Sequence, residues 1–224
     1  NSDSGGESIG ARLIIVNHDP PRIHFLDNAI SPALMRALIA CPPGLNWYSF
    51  ARVGVELTDP RFCRALRSSG CIMLKLGLES GDQGVLDGMD KGIDLGMVAK
   101  ALANLEKAGI TTYVYLLFGT PTESLTEARH TLEFTVKHSS AITFLNLAIF
   151  NMPLGSPDAA ELAVIDFYEG DLSLYTDFAH PLGWQRKEIR RFLDREFKRH
   201  RAIAPILHRD PPFFTSNHAA FFRP

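Results

Sequence analysis

Residues 73–92 read MLKLGLESGDQGVLDGMDKG. The stretch begins as an apolar run of the kind that forms a buried strand and turns polar at Glu79 and Ser80. It breaks on Gly81 and restarts as a short helix that closes at Gly92. In α/β proteins a polar cluster at the C-terminal end of a buried parallel strand is a common ligand position. A strand, an acid and a helix cap also make up many turns that bind nothing, so the reading depends on the neighbouring segments.

Upstream, Cys71 begins the same apolar run. Thr58 or Asp59 before Pro60 marks a helix start, and that helix runs to about Ser69, where Gly70 stops it. Residues 47–51 read as a strand ending at Arg52, after a loop at 41–46 broken by Pro42, Pro43 and Gly44. Ser31 followed by Pro32 opens a helix through about Ile39. Residues 22–26 form another strand, ending on Asp27 and Asn28. Residues 11–16 (ARLIIV) suit a short strand or the end of a helix, followed by a turn over 17–21, and the polar, glycine-rich residues 1–10 suit a tail.

Downstream, Asp94 caps a helix whose Leu95, Val98, Leu102 and Leu105 make one apolar stripe, and Gly109 ends it. Residues 111–118 (TTYVYLLF) are a strand leading into GTPTE at 119–123. A helix over about 125–137 precedes a strand over 141–150, which ends at Asn151. Strands thus alternate with helices five times, the pattern of a parallel sheet built from βαβ units. Right-handed crossovers put the helices on one face and the C-terminal strand ends on one rim. Asp27, Arg52, Glu79, Gly119 and Asn151 all fall on that rim, which favours a shared pocket over five solvated turns.

After Met152 the pattern changes. Pro153, Gly155 and Pro157 break the chain, and 159–164 suits one further short helix. Residues 185–202 read as a long amphipathic helix with Ile189, Phe192, Leu193 and Phe197 buried and a basic outer face softened by Glu188, Asp194 and Glu196. The tail, with Pro211, Pro212, Phe213, Phe214, Phe221 and Phe222, is apolar enough to pack back onto the domain or onto a further one.

With 224 residues, 46% of them apolar, the chain can build one large domain with a full core. A formal net charge of −2 gives no overall positive field and disfavours nucleic acid as a partner. No apolar run long enough to span a membrane and no secretory pattern stands out, so the expected home is the cytoplasm. Cys41, Cys63 and Cys71 match no disulfide framework, zinc or iron–sulfur spacing, and buried thiols are the default.

Glu79 is the strongest single candidate for chemistry. An acid at a buried strand end needs a cationic or hydrogen-bonding partner, which a ligand ammonium or hydroxyl can provide. Lys91, one short helix further on, brings a positive charge to the same rim, and a salt bridge between the two is the structural alternative. Gly119 permits close backbone approach to a flat ligand such as a purine, and Glu123 suits the start of the next helix. His130 and His138 lie too far apart on one helix for a metal pair, and His180, His208 and His218 show no ligand spacing. Neither a GxxxxGK[ST] phosphate loop nor a GxSxG elbow is present.

FLDNAISP (25–32), WYSFARV (47–53), GCIMLKLGLESGDQGVLDGMDKG (70–92), KAGITTYVYLLFGTPTES (107–124) and NMPLGSP (151–157) together resemble successive segments of the radical S-adenosylmethionine (SAM) superfamily. The branch resembled is the one whose members often carry a cobalamin-binding domain ahead of the core. The resemblance implies an α/β fold, a partial (β/α)6 TIM-like barrel holding a [4Fe-4S] cluster and SAM at its C-terminal rim. Three segments follow from it: 1–22 a tail or remnant, 23–157 the core from its second to sixth strand, and 158–224 a helical extension packing on it.

The same resemblance implies site residues. Asp27 and Asn28 fall where the methionyl amino group is met, Glu79 and Ser80 near the ribose and carboxylate, and Lys91 at the carboxylate. Gly119 and Pro121 fall beside the adenine, Asn151 closes the last strand, and Arg52 faces the cavity. The family's CxxxCxxC loop, whose three thiolates hold the cluster, has no counterpart in this sequence, which leads to the expectation of a fragment lacking the first strand and inactive alone. The parent would cleave SAM reductively to a 5′-deoxyadenosyl radical, with an electron donor such as flavodoxin or ferredoxin, a small-molecule or peptide substrate, and cobalamin-assisted methyl transfer as an extension. The alternative is a non-catalytic, degenerate barrel that binds SAM or adenosine or serves protein contacts.

Overall fold

The computed structural model describes residues 13–16, 22–26, 28–165, 174–209 and 219–221. The main sheet has six strands in the order β1-β2-β3-β4-β5-β6. Strand β1 is Leu13–Val16, β2 Arg22–Phe25, β3 Asn46–Ala51, β4 Cys71–Glu79, β5 Thr111–Phe118 and β6 Phe144–Ile149. β2 through β6 are parallel and neighbour one another in chain order. The expected α/β architecture with five parallel strands is therefore present. Sequential order means that each crossover steps the same way, so right-handed connections keep the helices on one face and leave the other as an interior concavity. Residues 11–16, left open between strand and helix end, resolve at 13–16 as a strand pairing antiparallel with β2.

The helices begin where local chemistry supplies their orphan N–H groups with acceptors. The Ser31 side chain accepts from Leu34 N–H to start α1 (Pro32–Ala40), and Asp59 accepts from Arg61 N–H to start α2 (Pro60–Ser68). Asp82 does the same for Val85 and α3 (Gln83–Gly88), and Asp94 for Met97 and α4 (Leu95–Ala108). Gly109, at φ +71°, ends α4 in the left-handed conformation that favours glycine. A reciprocal capping box between Ser124 and Glu127 starts α5 (Leu125–Lys137).

Strand alternation divides the core in two. Trp47, Ala51, Leu74, Leu76, Leu78, Val114, Leu116 and Phe118 face the helices and join one large cluster. On the other face Tyr48, Met73, Tyr113 and Phe144 form a second cluster, completed by Ala219 and Ala220 from the tail. Each buried leucine or phenylalanine is worth about 1.5–3 kcal/mol relative to exposure.

Beyond β6, β7 (Met152–Pro153) and β8 (Val164–Ile165) flank β9 (Tyr175–Phe178) in a small antiparallel sheet. The helix expected over 159–164 is instead α6 (Pro157–Glu161), because Val164 and Ile165 pair with Phe178 and Asp177 as strand. The expected helix over 185–202 is also shorter. It runs as α7 (Arg186–Phe192) and widens into a π-helical turn over Leu193–Phe197, where Lys198 N–H reaches back five residues to Leu193 O. The wide turn redirects the chain so that Ile203 and Ile206 enter the main core, which a straight helix would carry past it. The predicted stripe is buried as expected, with Ile189, Phe192, Leu193 and Phe197 at 4% exposure or less. Pro211, Pro212, Phe213, Phe214 and Phe222 lie outside the described residues.

Candidate functional site

The C-terminal end of the central strand β4 is irregular. Its register against β5 shifts between Gly77 and Glu79, and Glu79 stands at φ +68°. A non-glycine residue in that region costs on the order of 1–3 kcal/mol, and such strain concentrates at functional sites. The strained backbone places Glu79 Oε1 2.7 Å from Lys91 Nζ. A Cβ on Gly77 would stand 2.7 Å from that oxygen and 3.4 Å from the ammonium, so the pair lies directly over the bare face of Gly77.

Lys91 reaches the rim because the chain after α3 folds back. Lys91 N–H donates to Leu86 O, and Asp90 takes a left-handed φ of 49°. Arg52 Nη2 then donates to Lys91 O at 2.9 Å. Arg52, Glu79 and Lys91 are thus brought together, two cations with one anion. The excess positive charge suits a ligand carboxylate, and the Glu79 carboxylate suits an ammonium or hydroxyl.

Ser80 sits on the same turn but is turned away from the rim. It has no exposed surface, its hydroxyl lies 3.0 Å from Thr131 Oγ1 of α5, and it accepts Asp82 N–H. A Cβ at Gly81 would stand 2.7 Å from both Thr131 Cα and Phe134 Cβ, so this turn is pressed against α5. Asp82 also meets His130 Nδ1 at 2.8 Å, which holds its carboxyl below the usual range and raises the imidazole.

At the end of β5, Gly119 stands at φ +83°, and the space its missing side chain leaves is taken by Ile189 of α7. Its N–H donates to Glu123 Oε2. On the side where a Cβ would stand, the close approach to Gly119 is made by the protein itself, and Gly119 also lines a cleft. Glu123, expected at the helix start, is fully buried beneath the turn and accepts from Trp184 Nε1 at 3.3 Å as well. Burial pushes its carboxyl up to about 7 against the pull of these two donors. Glu123 Oε1 and Thr120 Oγ1 are buried without a hydrogen-bond partner among the described residues. His180 Nε2 meets Thr120 O at 2.9 Å, fixing the turn from the extension.

Asn151 is exposed, and its Oδ1 accepts from both Nη atoms of Arg186 at 3.0 and 2.6 Å. Gly119, Asn151, His180, Arg186 and Lys187 line one cleft of about 190 Å³. Pro121 lines a separate depression with Gly88, Met89 and Thr120. Arg52 lines a third with Ile30, Ser31 and Gly92. Asn28 is exposed beside that third depression, and Asp27 lies outside the described residues. Among the described residues, Gly119 and Asn151 share one hollow, Pro121 and Arg52 line two others, and Arg52, Glu79 and Lys91 are joined to one another.

The thiols do not fit an iron–sulfur cluster. Cys63 and Cys71 are buried in the helix-side core, where burial raises Cys63 to about 11 and Cys71 further, and Cys41 is exposed at the end of α1. Among the described residues no group of three His, Cys, Asp or Glu side chains could hold a metal. No helix among them is long and apolar enough to cross a membrane.

No protein-family model and no curated protein sequence matches the chain. Solved structures do. Coproporphyrinogen III oxidase (HemN) from Escherichia coli, a radical SAM enzyme, is 13% identical with a TM-score of 0.47, over 58% of this chain and 31% of that one. The radical SAM methyltransferase TsrM from Kitasatospora setae, solved with cobalamin and a [4Fe-4S] cluster, is 20% identical with a TM-score of 0.45, over 55% and 23%. The cobalamin-dependent SAM radical enzyme OxsB is 16% identical with a TM-score of 0.41, over 52% and 17%. The chain spans less than a third of the length of each of these three.

Proposed function

We propose that this chain supplies the second to sixth strands of a radical SAM barrel and binds SAM along its C-terminal rim, the methionyl end lying against Glu79, Lys91 and Arg52. The observation that carries the reading is Glu79, held in a strained left-handed conformation with its carboxylate over Gly77 and against Lys91. A zwitterionic amino-acid end matches this set: its carboxylate offsets the excess cation and its ammonium takes the exposed part of the Glu79 carboxylate. The ordered segments quoted from the sequence support the same reading.

A cluster would be held by residues outside this chain. The parent protein is proposed to be an enzyme of the cytoplasm that cleaves SAM reductively, drawing electrons from a flavodoxin- or ferredoxin-like donor and acting on a small-molecule or peptide substrate. Cobalamin-assisted methyl transfer belongs to a parent with a cobalamin domain. On its own the chain is proposed to bind without turnover.

Isothermal titration of the purified chain with SAM tests the binding claim. One molecule is expected per chain, with affinity reduced at least tenfold in Glu79→Gln and in Lys91→Met while circular dichroism stays unchanged. A wild-type chain that takes up no SAM overturns it. The residues encoded upstream separate an enzyme parent, which needs CxxxCxxC, from a degenerate barrel that retains the pocket as a binding module.

A further inference from the structure

The concave face of the sheet carries a lysine that the rim chemistry does not use. Lys75 lies in the middle of β4 with no exposed surface, on the side shared with Met73 and Gly77. Its Nζ is 3.2 Å from His24 Nε2 on β2. The amine stands 4.7 Å from the ring centre of Phe50 and 5.3 Å from that of Tyr48, both on β3. His24 is stacked on Tyr48, with centroids 4.4 Å apart and planes 9° from parallel, so the imidazole is held against the amine. On the opposite side, Tyr113 of β5 is the direct cross-strand neighbour of Lys75, and Tyr115 packs on both Tyr113 and Phe50.

A lysine is a costly residue to set among aromatic rings, because its charged form loses its hydration. Burial brings the Lys75 amine down to about 7, where an ordinary lysine titrates near 10.4. Among the described residues, the titratable groups around it include His24 on β2, Tyr48 on β3 and Tyr113 and Tyr115 on β5, with Arg22 acting on Tyr48. A share of the amine is therefore the free base at neutral pH, with an imidazole in contact to exchange its protons. These are the two requirements of an amine nucleophile.

We propose that Lys75 is a carbonyl-reactive amine that forms an imine with a small aldehyde or ketone held among Tyr48, Phe50, Tyr113 and Tyr115. The Nζ lone pair adds to the carbonyl carbon, the C=O π electrons move to oxygen, and a proton passes from nitrogen to oxygen through His24. The C–O bond then breaks as the nitrogen lone pair forms the C=N bond, and the remaining nitrogen proton passes through His24 to the departing hydroxyl, so amine and carbonyl compound give imine and water with no oxidant or reductant consumed. Phe50 and Tyr115 are half-buried, whereas Ala219 and Ala220 close the cluster against Tyr48, Met73 and Tyr113. The inference is independent of SAM binding.

The test uses the intact wild-type chain, treated briefly at pH 7 with acetaldehyde and cyanoborohydride, which reduces any imine to a stable alkylamine, and then mapped by peptide mass spectrometry. Lys75 is expected to be alkylated at least tenfold faster than the exposed Lys100, Lys107 and Lys187, with the preference shrinking near pH 10.5. A Lys75 that stays unmodified at pH 7, or reacts no faster than those three, overturns the proposal. Because the readout is site by site in the unaltered chain, no variant has to fold.

Discussion

Ile189 of α7 fills the space beneath Gly119 where any other residue would carry its Cβ. The C-terminal extension is thereby fitted to the β5 turn by a contact that only glycine allows, and the same glycine adopts φ +83°. Gly119→Ala is expected to destabilise the chain by about 3 kcal/mol, from backbone strain and overpacking together. Ile189→Ala alone leaves a cavity and also destabilises. In the double variant the clash is gone, so chemical denaturation is expected to give a combined loss smaller than the sum of the two.

The ion pair over Gly77 leads to a second expectation. Gly77→Ala puts a methyl group 2.7 Å from Glu79 Oε1 and should cost about 1–3 kcal/mol while weakening the proposed SAM binding at least tenfold. Glu79→Gly removes the carboxylate but relieves the left-handed strain, so its melting temperature is expected to stay within about 3 °C of the parent although the proposed SAM binding is lost. A Glu79→Gly chain that melts far lower would show that the residue is there for stability.

Glu123 predicts a pH dependence of known sign. Its folded value of about 7 lies above its ordinary value, so the folded state holds the proton more tightly than the unfolded one. The stabilisation is fully present below about pH 4.5 and is lost as pH rises through 7, an effect of up to about 3 kcal/mol. Urea titrations of wild type and Glu123→Gln across pH 4.5–8 should diverge in that window, with the wild type falling relative to the variant.

Lys75 gives the opposite slope. Its amine is lowered to about 7, so the unfolded chain binds the extra proton between about 7 and its ordinary value, and stability rises with pH over that range. Lys75→Met, of similar length and without the charge, is expected to raise the melting temperature at pH 7 by about 5 °C, with the gain fading by pH 10.5. Retaining the lysine at that cost is what a functional residue would do.

The parallel strands and their helices were legible because each carries its own local signals: apolar runs, Ser31, Asp59 and Asp94 as caps, and Gly70 and Gly109 as stops. The Glu79–Lys91 proximity could be anticipated from one short helix between them. What local pattern could not supply was contact at long range. Glu123 reads as a helix-start acid until Trp184 arrives above it, and Asn151 reads as a strand end until Arg186 grips it. Lys75 was hidden inside an apolar run. The signal that could have found it is the two-residue period, which puts Met73, Lys75, Gly77 and Glu79 on one side and leaves a lysine facing inward next to a residue with no side chain. The early end of α7 was illegible because the π-helical turn answers to the burial of Ile203 and Ile206, not to any breaker in the sequence.

The antiparallel pairing of β1 with β2 has its own consequence. Leu13–Val16 occupies the hydrogen-bonding edge of Arg22–Phe25, the edge on which a further parallel strand of a longer barrel would have to dock. Both partners would need the same N–H and C=O groups, so widening the barrel on that side is a strand exchange rather than an addition. A four-residue ladder is a short incumbent. A longer strand offered in the parallel sense would compete for that edge with more hydrogen bonds than β1 makes.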